Sequence, residues 1–151
     1  MAERRQKEEL LQRLSHPFPT LMVDRIISVE KEKSIHTAKW VTANEFYLAG
    51  HFPEEPILPG VLTLEGMAQS AIFLVAESFA RGRLSCFLEK VDRVRFKKAV
   101  LPGDRVDFRV QLAGREGETW KFKGQAHVAE ETAAEANLVL RVSFREVGFE
   151  I

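Results

Sequence analysis

The chain has 151 residues, enough for one domain with a proper core. Its 22 basic residues balance 22 acidic ones, so no overall field draws nucleic acid or inserts the chain into an anionic membrane. A single cysteine, Cys86, excludes an intrachain disulfide and a zinc cluster built on cysteine pairs.

A single domain over residues 1–151 is expected, without repeats or low-complexity linkers. Residues 2–14 (AERRQKEELLQRL) are charged from the outset and lack the apolar run of a secretory signal, which leaves the cytoplasm as the default compartment. Leu10, Leu11 and Leu14 would face inward from a short amphipathic helix that closes one end of the fold. His16, beside Pro17 and Pro19, reads as a turn residue. Leu21–Glu30 and Ser34–Thr42 read as two strands joined by a charged turn at Lys31 to Lys33. Structural roles are the default for Asp24 beside Arg25, as an ion pair, and for His36 in mid-strand.

The stretch from Gly50 to Gly60 (GHFPEEPILPG) is a loop punctuated by Pro53, Pro56 and Pro59. From Val61 to Ala80 no proline occurs and Gly66 is the only glycine, which permits a helix of roughly 20 residues, about 30 Å long. Its apolar residues, among them Leu62, Leu64, Met67, Ile72, Leu74 and Phe79, surround the axis. A helix apolar all round belongs inside something. Glu65, Gln69 and Glu77 interrupt it and make it too polar for a membrane span. Gly82 offers a C-terminal break. Four strands are then expected at about Leu84–Lys97, Arg105–Ala113, Thr119–Ala129 and Ala133–Arg145. Pro102-Gly103, Gly114–Gly117 and Glu130-Glu131 mark the turns. Strand–strand–helix followed by a strand meander is α+β in class.

The residue demanding explanation is Glu65, in the second turn of a helix expected to be buried. A lone carboxylate there is costly unless paired or protonated. The loop upstream carries His51. An imidazole and a partly desolvated carboxyl facing one pocket are the parts of a proton-transfer site. Gly60, with Val61 at the helix start, offers N–H groups that have no intrahelical acceptor, and a glycine lets a carbonyl oxygen approach them closely. Gln69, one turn past Glu65, could hydrogen-bond its carboxyl or merely a backbone group, and an orienting role is the favoured reading.

His51-Phe52-Pro53, Pro56-Ile57-Leu58-Pro59-Gly60-Val61 and Glu65-Gly66-Met67-Ala68-Gln69 together resemble the signature of the 3-hydroxyacyl-[acyl carrier protein] dehydratases of hotdog fold. The resemblance extends to Leu21-Met22-Val23-Asp24-Arg25, Arg95-Phe96 and Pro102-Gly103-Asp104, and spans roughly residues 14 to 145. It implies an antiparallel sheet curled round one helix, and dehydration of a (3R)-3-hydroxyacyl thioester to the trans-2-enoyl thioester. His51 would take the C2 proton, the Gly60 N–H would receive charge on the thioester oxygen, and Glu65, held protonated by apolar surroundings, would protonate the departing hydroxyl. It implies an acyl carrier protein as partner and a homodimer whose sites take His and Glu from different subunits, with trimers of dimers among relatives. No metal or organic cofactor is called for, because the thioester already acidifies C2. The family usually carries an arginine and an aromatic after the histidine equivalent to His16. Pro17 and Phe18 stand there, a departure that leaves the catalytic set intact and bears on the subfamily and, through it, on acyl-chain preference.

Arg93, Arg95, Lys97 and Lys98, with Lys90 and against Asp92 alone, form a local basic block. It reads either as a solvated strand face or as a docking patch for an acidic carrier protein. Ser70 has no nucleophile-elbow sequence around it, and Cys86 reads as a small core residue. The prolines and the absence of a nearby second histidine argue against a metal held by His51, Glu54 and Glu55. A thioesterase, an isomerising dehydratase and a non-catalytic acyl-binding module are the competing functions. Glu65 argues against the isomerising type, whose relatives carry aspartate on the helix.

Overall fold

Alternating apolar and polar residues give the long strands one wet face and one dry one, and the dry face closes on the helix. The computed structural model describes residues 2–15, 18, 20–79 and 82–145. His16, Pro17, Pro19 and the last residue of the expected helix, Ala80, lie outside them. The order is α1 (Ala2–Gln12), β1 (Arg25–Glu30), β2 (Ser34–Trp40), a short 3-10 turn at Phe46–Leu48, α2 (Gly60–Ser78), β3 (Arg83–Phe96), β4 (Arg105–Glu116), β5 (Thr119–Val128) and β6 (Glu131–Arg145). The strands form one antiparallel sheet in the order β1-β2-β4-β5-β6-β3. From β2 the chain crosses the sheet as α2, runs β3 along the far edge, and returns with β4 beside β2. This is the expected hotdog arrangement.

Contact between helix and sheet is set by two small residues. A Cβ added to Gly66 would sit 2.2 Å from Cζ of Phe108 on β4, and one added to Gly124 on β5 would sit 2.9 Å from Sδ of Met67. The helix therefore receives a ring in one notch, and the sheet receives a thioether in the other. Phe73, Phe108, Phe122, Met67 and Leu138 are among the fully buried side chains of the core. Each buried side chain of this size contributes roughly 1.5–3 kcal/mol. Ser70, also buried, donates to the Gly66 carbonyl at 2.7 Å and pairs with the Thr37 hydroxyl at 2.8 Å, so it acts as a polar rivet.

The C-terminal end of α2 is tied down. The guanidinium of Arg13, just past α1, donates to the carbonyls of Ala76, Phe79 and Gly82 and satisfies groups that a helix end leaves open. Arg13 O and Ser15 N then bond Leu84 N and O, both at 2.8 Å, which adds a short parallel bridge beside β3. Leu10 is buried, and Leu11 and Leu14 pack on the core as the amphipathic pattern predicts.

Two expectations shift. The first strand begins at Arg25 and not at Leu21, because Met22 N–H bonds the side chain of Gln69 and leaves the ladder. Met22 and Val23 are nonetheless fully buried. The helix is also not covered all round: Val61 is 70% exposed, and Leu62, Leu64 and Glu65 are only half-buried. One six-stranded sheet cannot close over the first turn of so apolar a rod.

Candidate active site

The loop before α2 is folded by its own backbone. Ile57 N–H donates to His51 O at 2.8 Å, Phe52 N–H to Glu55 O at 3.2 Å, and Leu58 N–H reaches Val100 O at 2.8 Å. These bonds pin a hairpin-like loop to the approach of β4. The half-buried His51 ring is held twice. Its Nδ1 lies 2.9 Å from Ile57 O, and the Phe52 ring stacks on it at 4.4 Å between centroids. A carbonyl can only accept, so Nδ1 carries a proton, and whenever the ring is neutral its lone pair lies on Nε2. Glu54 and Glu55 lie exposed beside it.

The helix start is equally specified. Leu62 and Thr63 N–H both reach Pro59 O, at 2.9 and 3.3 Å. The N–H groups of Gly60 and Val61, ahead of them, occupy the positions without an intrahelical acceptor. Phe96 at the end of β3 lies on Gly60, where an added Cβ would be 2.7 Å from ring carbons Cε1 and Cζ. The glycine is needed for that approach.

Gln69 holds Glu65. The fully buried amide uses both its protons, one on Glu65 Oε1 at 3.0 Å and one on Thr20 O at 2.8 Å, while its oxygen accepts Met22 N–H at 2.7 Å. The bond to Oε1 leaves Oε2 as the oxygen free to carry and release a proton. The helical spacing allowed a bond to the carboxyl or to the backbone, and the amide makes both. The partners Thr20 and Met22 were not visible in the sequence, because nothing local links positions about fifty residues apart.

The loop, the helix start and Glu65 are thus each in place, but His51 and Glu65 share no hydrogen bond within the chain. Other candidates resolve into structural parts. His36 Nε2 lies 2.7 Å from Asp107, and Asp24 accepts Trp40 N–H at 2.8 Å while Arg25 lies over the Trp40 ring. Burial pushes the Cys86 thiol up to about 12, as apolar surroundings would. Burial, with the Glu45 carboxylate adding to it, raises the Tyr47 phenol as well. The basic block divides. Lys97 is 3.3 Å from Glu135 and Lys98 2.9 Å from Glu131, so both are matched by carboxylates of β6. Arg93 and Arg95 line a groove of about 530 Å³ with Lys123, Gln125, Asn137 and the same Glu135 on the outer face of the sheet.

Comparison with known proteins points the same way. The family model described as a FabA-like domain matches residues 14–137. The 3-hydroxyacyl-[acyl-carrier-protein] dehydratase FabZ of Sinorhizobium medicae is 42% identical over 139 residues, covering 92% of this chain and 90% of that protein. The FabZ of Magnetococcus marinus is 40% identical over 146 residues, 95% of each chain. Among solved structures, the dehydratase heterocomplex ApeI:P of Xenorhabdus doucetiae superposes with a TM-score of 0.73 at 19% identity, covering 90% of this chain and 91% of that one. A hot-dog-like protein from Thermanaerovibrio acidaminovorans gives 0.63 at 18%, covering 77% and 84%, so both share the fold. With the match running through loop, helix and sheet alike, the chain belongs to the FabA-like family, in the group of the FabZ 3-hydroxyacyl-[acyl-carrier-protein] dehydratases.

Proposed function

We propose that this protein is a cytoplasmic hydro-lyase that converts 3-hydroxyacyl-[acyl carrier protein] thioesters to trans-2-enoyl thioesters in fatty-acid or related lipid biosynthesis. The observation that carries the reading is the fixed His51 tautomer, with Nδ1 on Ile57 O and Nε2 bare. Nε2 takes the C2 proton, and the electron pair moves onto the thioester carbonyl. That oxygen is received by the N–H of Gly60, with Val61 beside it, at the positive end of α2. The pair then returns to form the C2–C3 double bond, and the C3–O bond breaks. Glu65 supplies the proton that lets the hydroxyl leave as water, and Gln69 aims the carboxyl. Proton return from His51 to Glu65 resets the site.

The site is completed by a second copy. Three features support this: no bond joins His51 to Glu65 within one chain, Val61 and Phe96 stand 70% and 57% exposed at the helix start, and edge strand β3 exposes Phe87 and Leu88. In the homodimer, His51 faces the partner's Glu65. The acidic carrier protein docks by Arg93 and Arg95, with Lys97 and Lys98 at the margin.

The test incubates purified protein with 3-hydroxyacyl and acyl thioesters and follows enoyl absorbance against free thiol. Enoyl formation that falls at least about 100-fold in both His51→Ala and Glu65→Ala is expected. Thiol release without enoyl product would identify a thioesterase instead.

A further inference from the structure

Lys39 is a buried ammonium that the mechanism leaves unused. On β2, Thr37 points to α2 and meets Ser70, and Lys39, two residues on, points the same way. It is 5% exposed, and lysine is almost never fully buried unless paired. Its Nζ lies 3.0 Å from Oε1 of Glu45 and 3.9 Å from Oδ2 of Asp24, which also accepts the Trp40 N–H. The two carboxylates belong to different arms of the site. Asp24 closes the segment whose Thr20 and Met22 hold Gln69, and through it Glu65. Glu45 opens the turn at Phe46–Leu48, which leads to His51.

That turn has few other fastenings. Among the described residues, 42–50 make only local backbone hydrogen bonds. Glu45 N–H donates to Thr42 O at 3.3 Å, Leu48 N–H to Glu45 O at 3.1 Å, and His51 N–H to Leu48 O at 3.3 Å. Leu48 is buried and Tyr47 packs on the core, its hydroxyl buried without a hydrogen-bond partner among the described residues. Apolar contact seats the turn but is non-directional. Among the described residues, the bond from Lys39 to Glu45 is the one side-chain hydrogen bond that ties 42–50 to the sheet, so it fixes where the turn lies. On its far side His51 is pinned separately, by Ile57 O on the ring and by Leu58 N–H on Val100 O.

We infer that Lys39 and Glu45 are positioning residues for the base: their ion pair, mounted on the sheet, holds the loop where His51 presents Nε2 to the substrate. The inference rests on the dehydratase reading above. Both residues act through His51 and not on the substrate itself. The leverage is large, because a misplacement of about 1 Å at a reacting group can cost roughly 100-fold in rate.

The experiment compares wild-type protein, Glu45→Ala and Glu45→Gln. Asp24 still faces Lys39 in both variants, so the buried ammonium keeps a partner and the fold its core. Glu45→Ala should lower kcat for enoyl formation about tenfold with little change in KM. Glu45→Gln, whose amide oxygen still accepts from Lys39, should recover most of that loss. Amide hydrogen exchange reads the loop apart from activity. In Glu45→Ala the Leu48 and His51 N–H groups should exchange at least about tenfold faster, while Leu58 N–H, held by Val100, stays as in wild type. An unchanged kcat in Glu45→Ala overturns the inference. So does a fall in kcat that Glu45→Gln does not relieve, that leaves exchange at Leu48 and His51 unmoved, or that comes with equally faster exchange at Leu58. If wild-type protein forms no enoyl product, the dehydratase reading falls, and exchange alone decides whether the pair fixes the loop.

Discussion

Gln69 joins three parts of the molecule through one side chain: the carboxyl of Glu65, the carbonyl of Thr20 and the N–H of Met22. Its place on a buried helix face was readable from spacing, but its consequence was not. Truncation to alanine would strand Met22 N–H and Thr20 O in a dry interior, at a cost of roughly 1–3 kcal/mol. It would also release Glu65 from its fixed orientation. Gln69→Ala is therefore expected to lower both the urea midpoint and kcat, the latter by about tenfold or more, with a smaller change in KM. A lower midpoint with unchanged kcat would make Gln69 a structural residue only. His51 offers a contrast at the same scale. Its presence in the loop was plain, whereas the nitrogen it would offer for the proposed chemistry depended on Ile57 O, six residues on, being turned back toward it.

At the scale of elements, α2 was the most legible part of the chain. Apolar residues on every side and proline kept upstream defined both its burial and its start, within one residue of Gly60. The strands after it followed from alternation, and their turns from Gly103 and Gly117, both with positive φ. The hairpin at Ala129-Glu130 was harder to place, because two non-glycine residues adopt φ of 49° and 66° there. What the pattern could not disclose was why Gly66 interrupts a good helix. The answer is the Phe108 ring, which occupies the space a side chain would need. Gly66→Ala is expected to destabilise by about 1–3 kcal/mol despite alanine's better helix propensity. A paired Phe108→Leu should recover part of that loss, and denaturant unfolding of the three variants measures it. A gain in stability from Gly66→Ala alone would mean that the ring yields freely. Arg13, likewise, carried no local sign of its task. It caps the end of α2 from a position more than sixty residues away.

For the whole molecule, a neutral net charge hid an uneven surface. Lys97 and Lys98 are balanced by Glu135 and Glu131, so the cationic character of the basic block rests on Arg93 and Arg95, with Lys123 across the groove. Turnover of a carrier-linked substrate should fall several-fold between low and physiological salt, while a short free thioester should be indifferent. Equal salt responses would remove the groove from carrier docking. The proposed sharing of sites between two copies predicts complementation. A mixture of His51→Ala and Glu65→Ala proteins, each inactive, should regain about a quarter of wild-type activity after subunit exchange, because each heterodimer rebuilds one intact site of two. No recovery, with exchange verified by mixed labels, would confine each site to one chain. The sequence held only a faint mark of this assembly, a helix too apolar for one small sheet to cover. The exposed edge of β3 and the protruding Val61 are the surfaces that the proposed second copy would cover.

The paired seats of Phe108 on Gly66 and of Met67 on Gly124 leave α2 little freedom to slide or roll. Anything mounted on that rod keeps its position whatever happens a few turns further along. The proposed proton chemistry at its front would then tolerate substitutions further along the helix without realigning its reacting groups. Two notches filled by neighbouring side chains would thus keep the front of the helix steady while the rest of the molecule is free to vary.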